Sequence, residues 1–269
     1  MSQISLVAKI TFKDCIRTKG LYGIFLLGII LFAANIIFTG MFSFEIGKMA
    51  VDMGLSVISF SGLIFIFFFS IQSFFNDFEK KTIYMIISRP ISKAEYIIGK
   101  FSGLGLVIVF SSLVLGLCAA ISFKLSVMDH EAYIPQHFTW SFFFIAILFL
   151  TLSLLIMLGI SVLWTCATSH QFIGFLLSLM TYFIGHNMET VKNMILSTKI
   201  FPPDALPIKT INFVSWILPN LAVFDLKTQA AYGLMPDFVS LVWIALYGLS
   251  YIGLCLIISI WIFNRRELA

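Results

Sequence analysis

Charge is scarce in this chain. Asp, Glu, Lys and Arg make up 11% of its 269 residues, while 60% are hydrophobic. A soluble domain carries about 25% charged residues, and its exterior must be wettable, so no soluble fold of this length could hide so much apolar surface. Cysteine is rarer still. Cys15, Cys118, Cys166 and Cys255 stand singly in or beside apolar runs, with no C-x-x-C pair, which argues against a disulfide framework or a zinc site. Several motifs are missing altogether. Without Gly-x-x-x-x-Gly-Lys-Ser/Thr the chain does not hydrolyse ATP by itself. His130-Glu131 is not followed by the second histidine of a metalloprotease, no nucleophile-elbow serine occurs, and no basic tract suits nucleic acid. The first apolar run is followed by no small-residue cleavage site, so it does not read as a signal peptide.

What is present is a series of uncharged runs, each long enough to cross a bilayer, which takes about 20 apolar residues per helix. The sequence predicts an all-α integral membrane protein, residues 1–269 forming one transmembrane domain with six spans: 21–40, 53–76, 101–123, 140–164, 171–187 and 238–264. The uncharged stretch 132–188 holds two of these, with Thr165, Thr168, Ser169, His170 and Gln171 as the turn between them. Trp140 and Trp164 are 24 residues apart, about 36 Å of helix, which puts one indole near each interface. No span carries a charged side chain in its middle. Ion-coupled transporters usually hold such groups near the midplane, so energy for transport would have to come from another chain.

Six spans put both termini on one side. Lys9, Lys13, Arg17, Lys19, Lys80, Lys81, Arg89, Lys93, Lys100, Arg265 and Arg266 fall on that side, against Lys48, Lys124, Lys192, Lys199, Lys209 and Lys227 on the other. By the positive-inside rule, the termini and the 77–100 loop are cytoplasmic and residues 188–237 are external. The external loop holds five of the seven prolines and is too apolar for a solvated linker. Within residues 1–20, Ile4, Val7, Ala8, Thr11, Phe12, Cys15 and Ile16 recur at helical spacing, opposite Lys9, Lys13 and Arg17, the pattern of an interfacial amphipathic helix.

The 77–100 loop is a charged, amphipathic segment between two spans. Asn76 or Asp77 is expected to cap a short helix running to about Ser88. Pro90 then disfavours helix at Arg89. Ser92-Lys93-Ala94-Glu95 reads as a capping box that restarts the helix into span three. The glycines of Gly99-Lys100-Phe101-Ser102-Gly103 permit a close helix approach.

Glu79, Thr82, Ser88-Arg89-Pro90, Glu95-Tyr96 and Gly99-Lys100 resemble the first cytoplasmic loop of ABC-2 type exporter permeases. Thr11…Cys15-Ile16-Arg17, Leu218-Pro219-Asn220-Leu221 with Phe224-Asp225, and Phe263 to Leu268 are similar to further family patterns. The nearest subgroup is the one associated with maturation of copper enzymes such as nitrous oxide reductase. The resemblance implies a coupling helix that docks on a separate ATP-binding subunit, with Glu79, Thr82, Tyr84, Ile87, Arg89, Pro90, Glu95, Gly99 and Lys100 as the coupling residues. It implies two ATP-binding subunits, which supply ATP and Mg, and a second permease copy or a homologous permease. This chain would hold no cofactor, metal or catalytic residue of its own and would lie in a prokaryotic inner membrane. With 30 phenylalanines, the pathway would suit a lipid-like, amphiphilic or peptide cargo. The alternative is a mechanical relay to a periplasmic partner in copper-enzyme maturation. Met41, Met49, Met53, Met128, Met188, Met194 and Met235, with His130, His137 and His186, fall on or near the external side, and thioethers are soft copper ligands.

Overall fold

The computed structural model of the chain describes residues 3–17, 19–41, 46–79, 92–127, 138–198, 215, 218–234 and 236–265. Among these residues the backbone is helical apart from turns, and there is no strand. The helices are α1 (Gln3–Arg17), α2 (Lys19–Met41), α3 (Ile46–Ile64), α4 (Ile71–Glu79), α5 (Lys93–Val127), α6 (Trp140–Ala167), α7 (Gln171–Thr198), α8 (Lys227–Tyr232) and α9 (Phe238–Arg265). Between α3 and α4 the chain stays helical through a π-helical stretch, Phe65–Ser70, after which the Ile71 amide bonds back to the Ile66 carbonyl.

Among the described residues, four helices are long and apolar enough to cross a membrane: Gly47–Asp77, Lys93–Val127, Trp140–Ala167 and Phe238–Arg265. They contain the spans expected at 53–76, 101–123, 140–164 and 238–264. The runs expected at 21–40 and 171–187 lie in α2 and α7. α2 contributes a shorter apolar stretch, Gly28–Ile37, and α7 carries His186, Asn187, Glu189 and Lys192 in its second half. The α6–α7 break falls at Thr168–His170, where the Thr168 amide and hydroxyl both bond to the Trp164 carbonyl at 2.9 and 2.8 Å. Thr165, expected in that turn, sits inside α6 and donates to the Ser161 carbonyl at 2.6 Å.

The 35 residues of α5 span about 52 Å, and its two faces are sharply different. Leu106, Phe110, Leu113, Leu117 and Ile121 recur at helical spacing and are exposed, whereas Leu104, Val107, Ile108, Leu115 and Ala119 are buried. On α9, Trp243, Leu249, Leu254, Ile257 and Trp261 are likewise exposed. Such continuous apolar faces are stable against hydrocarbon rather than water. Inside the bundle, hydroxyls of Ser102, Thr151, Ser178, Thr181 and Ser259 bond to carbonyls four residues back, which satisfies them without a second helix. Asn35 instead bridges helices: it is buried and donates to the Ala50 carbonyl at 3.3 Å and to Ser122 Oγ at 3.5 Å.

Residues 218–234 wedge Leu221, Phe224, Leu226, Ala230 and Ala231 into one end of the bundle, with Tyr232 and Leu234 left exposed. Phe224 is completely buried, stacks on Tyr247, and occupies the room left by Gly248, where a Cβ would meet its ring at 2.9 Å. The Leu221 amide donates to the Gly185 carbonyl at 3.1 Å. Asn220 donates to Glu189 at 2.9 Å, Asp225 sits between Lys227 and His186, and Lys48 lies over the Tyr232 ring. α8 ends at Gly233, whose φ of 68° is one that glycine adopts without strain. We call this end the far end; the end that carries Glu79 and Ser92 is the near end.

Candidate functional site

At the near end the chain leaves α4 at Glu79 and re-enters at Ser92, and four helices converge on that gap. The capping box is formed in full. Ser92 Oγ accepts from the Glu95 amide at 3.2 Å, while Glu95 Oε2 accepts from the Ser92 amide at 2.8 Å and from its hydroxyl at 2.9 Å. Two backbone donors that a helix N-terminus would otherwise leave bare are thus satisfied reciprocally. Glu95→Ala is expected to lower stability by about 1 kcal/mol while leaving assembly intact. Thermal unfolding of the solubilised protein measures this, and an unchanged melting temperature would show that the box contributes nothing.

One turn further into α5 is a buried charge. Lys100 is 2% exposed. Its ammonium donates to the Ser73 carbonyl at 2.7 Å, to Asp77 Oδ2, and to the Tyr96 hydroxyl at 3.2 Å. The Tyr96 hydroxyl in turn donates to Asp77 Oδ2 at 2.6 Å. An ammonium has three N–H donors, and here all three have acceptors, two of them on α4 and one on α5. The ring of Phe74 lies 4.7 Å from the charge. This corrects the expectation that Asn76 or Asp77 caps a new helix: α4 runs through both to Glu79, and Asp77 is spent on the pair with Lys100.

The network continues to α9 and α1. The Tyr96 ring stacks on Phe263 with centroids 6.3 Å apart, and Lys93 Nζ donates to the carbonyls of Phe263 and Asn264, at 3.4 Å each. Gly99 and Gly103 present bare backbone to α1. A Cβ on Gly99 would lie 2.7 Å from Val7 Cβ, and one on Gly103 would lie 2.7 Å from the Ala8 carbonyl oxygen. Part of the apolar face of α1, with Val7, Ala8, Thr11 and Cys15 buried, therefore rests on α5, while Ile10 and Ile16 stay exposed. Burial pushes the Cys15 thiol up to about 11.

Of the residues predicted to couple, Glu79 is the last of α4, Glu95 completes the box, Gly99 seats α1, and Lys100 points inward. Thr82, Tyr84, Ile87, Arg89 and Pro90 lie outside the described residues. Sequence reasoning missed Asp77 and Tyr96 as partners of Lys100. The signal was the four-residue spacing of Tyr96 and Lys100, which puts both on one helix face.

Among the described residues, no group of three or more His, Cys, Asp or Glu side chains is placed to hold a metal ion. A family model described as ABC-2 family transporter protein matches residues 5–268, nearly the whole chain. No curated protein matches it.

Proposed function

The chain belongs to the ABC-2 transporter family, and we propose that it is the pathway-forming subunit of an ATP-driven exporter, coupled to its motor through the 77–100 loop. Membership makes it the membrane component of an ABC transporter, a multi-pass helical protein that works with an ATP-binding subunit. The finer reading has six spans, with α2 and α7 joining the four long apolar helices, and places both termini and the near end in the cytoplasm of a prokaryote. Two copies, or this chain and a homologue, enclose the path, and two ATP-binding subunits dock below. Glu79, Thr82, Tyr84, Ile87, Arg89 and Pro90 make or shape the docking element; Glu95, Gly99 and Lys100 fix the helix that receives its motion.

The observation that carries this reading is the junction itself. The ends of α4 and α5 flank residues 80–91 and are tied together by a buried ion pair, with α1 and α9 attached to the same block. A segment whose two roots are so held passes a load into several spans at once. The cargo that suits the Phe-rich walls is lipid-like, amphiphilic or peptide.

Glu79→Ala is expected to leave insertion and dimerisation intact and to reduce co-purification of the ATP-binding subunit, or to uncouple ATP hydrolysis from export. Full retention of both would remove Glu79 from the docking element; loss of the protein from the membrane would make its role structural. Topology is tested with a chain whose native cysteines are replaced. A cysteine at position 209 should react with an impermeant maleimide in intact cells, and one at position 81 should not. The reverse pattern would invert the assignment.

A second reading is favoured by the unbroken rod of α5, Lys93–Val127, which connects the near-end junction to the far end where residues 218–234 are wedged. The same chain could then relay ATPase motion to a periplasmic partner in copper-enzyme maturation without passing a cargo. Mass spectrometry of molecules bound to the purified complex separates the two. A lipid or peptide held in stoichiometric amount favours export; none, with ATP hydrolysis stimulated by a periplasmic protein, favours the relay.

A further inference from the structure

A docking partner cannot reach Lys100, which is sealed between α4 and α5. We propose that Asp77, Tyr96 and Lys100 are positioning residues that form a rigid joint, turning a push on residues 80–91 into movement of α4, α5 and α9 as one block. The inference rests on the reading of the loop as the ATPase-docking element, and goes beyond it by naming what transmits the push.

Rigidity follows from the chemistry of the buried ammonium. Its three donors are used by Ser73, Asp77 and Tyr96, and it has no water to fall back on. Sliding or parting the two helix ends would strand a charge in apolar surroundings, which is strongly unfavourable. The block therefore moves whole. Tyr96 extends it through its stack on Phe263, and Lys93 through the last carbonyls of α9. The place where the block can turn lies just above it. Ser73 is three residues past the π-helical stretch Phe65–Ser70, and the buried Ser70 hydroxyl finds no partner among the described residues. A π-helical turn is a common site of helix bending.

If the pair served only to hold the fold, an apolar pair of similar size would replace it, since such exchanges are often neutral or stabilising. That provides the test. The full chain is reconstituted with the ATP-binding subunit that co-purifies with it, and amide hydrogen exchange is measured with and without ATP and vanadate. In the wild type, trapping changes exchange at the C-terminal turn of α9 and in residues 218–234. In Asp77→Leu/Lys100→Met, thermal stability and ATPase binding stay near wild type while that change falls about tenfold, the size of a typical coupling between sites. Tyr96→Phe keeps the stack on Phe263 and removes one hydroxyl; it should fold normally and lose part of the change, and it decides the matter should the double variant not fold. A full change in either folded variant overturns the joint, as does a wild-type change confined to residues 80–91. A wild-type chain that retains no ATP-binding subunit refutes the docking reading itself, a separate and recognisable failure.

Discussion

Asp77→Leu destabilises the solubilised protein by about 3–5 kcal/mol, the range for removing one partner of a buried ion pair, and does so more than Lys100→Met. The order follows from exposure. The Lys100 side chain is 3% exposed and that of Asp77 is 29% exposed. A stranded ammonium has only Ser73 and Tyr96 to turn to, and a hydroxyl and a carbonyl do not neutralise it. A stranded carboxylate keeps the Tyr96 hydroxyl and can also be hydrated from its open side. The double replacement by apolar residues should recover most of the loss, because neither charge is then left alone. Thermal unfolding monitored by size-exclusion chromatography orders the three variants. Equal melting temperatures for all of them would mean that water enters the junction and that the charge is not sealed.

Gly103→Leu should lift α1 off the bundle. At this position a new side chain would press on the Ala8 carbonyl oxygen at 2.7 Å and on Thr11 Cβ at 2.8 Å. A backbone oxygen cannot rotate away as a side-chain tip can, so the helix as a whole must move. Overpacking of this kind costs about 1–3 kcal/mol, and here it falls on the contact that seats α1. Cys15 reports it. The thiolate is the nucleophile, and the buried thiol stands at about 11 against an ordinary 9.0. Release of α1 uncovers the thiol, so in a chain whose other three cysteines are replaced, maleimide labelling of Cys15 at neutral pH should speed up. Unchanged Cys15 labelling in a folded Gly103→Leu protein would show that α1 accommodates the side chain by a local shift.

The capping box shows how much a short pattern can specify. Ser92 and Glu95 are three residues apart, their partners are each other's backbone, and no distant element is needed for the geometry to form. The turn between α6 and α7 was legible in the polar cluster Thr165 to Gln171, although Thr165 ends up inside α6 and Gln171 opens α7. The amphipathic N-terminal helix was legible only in part. Its periodicity states that one face is apolar but not whether lipid or protein covers that face, and the glycines that decide this lie about ninety residues away in α5. The Asn76 or Asp77 cap was a misreading of a different kind. Either residue type at a helix start favours a cap, but Asp77 lies in a continuing helix whose side chain is claimed by Lys100 across the loop.

The sequence by itself determined the medium, since uncharged runs of bilayer length require hydrocarbon around them; the ATP-binding partner follows from the family match over residues 5–268. The sequence also determined the restart at Ser92, since a capping box acts over three residues. Only the tertiary structure decided that Lys100 faces inward to Asp77, that α1 seats on Gly99 and Gly103, and that residues 218–234 enter the bundle. Each of these joins positions separated by a loop or by whole spans. Their pairing depends on which helix faces meet, and that is set by small residues and buried polar partners rather than by any local periodicity.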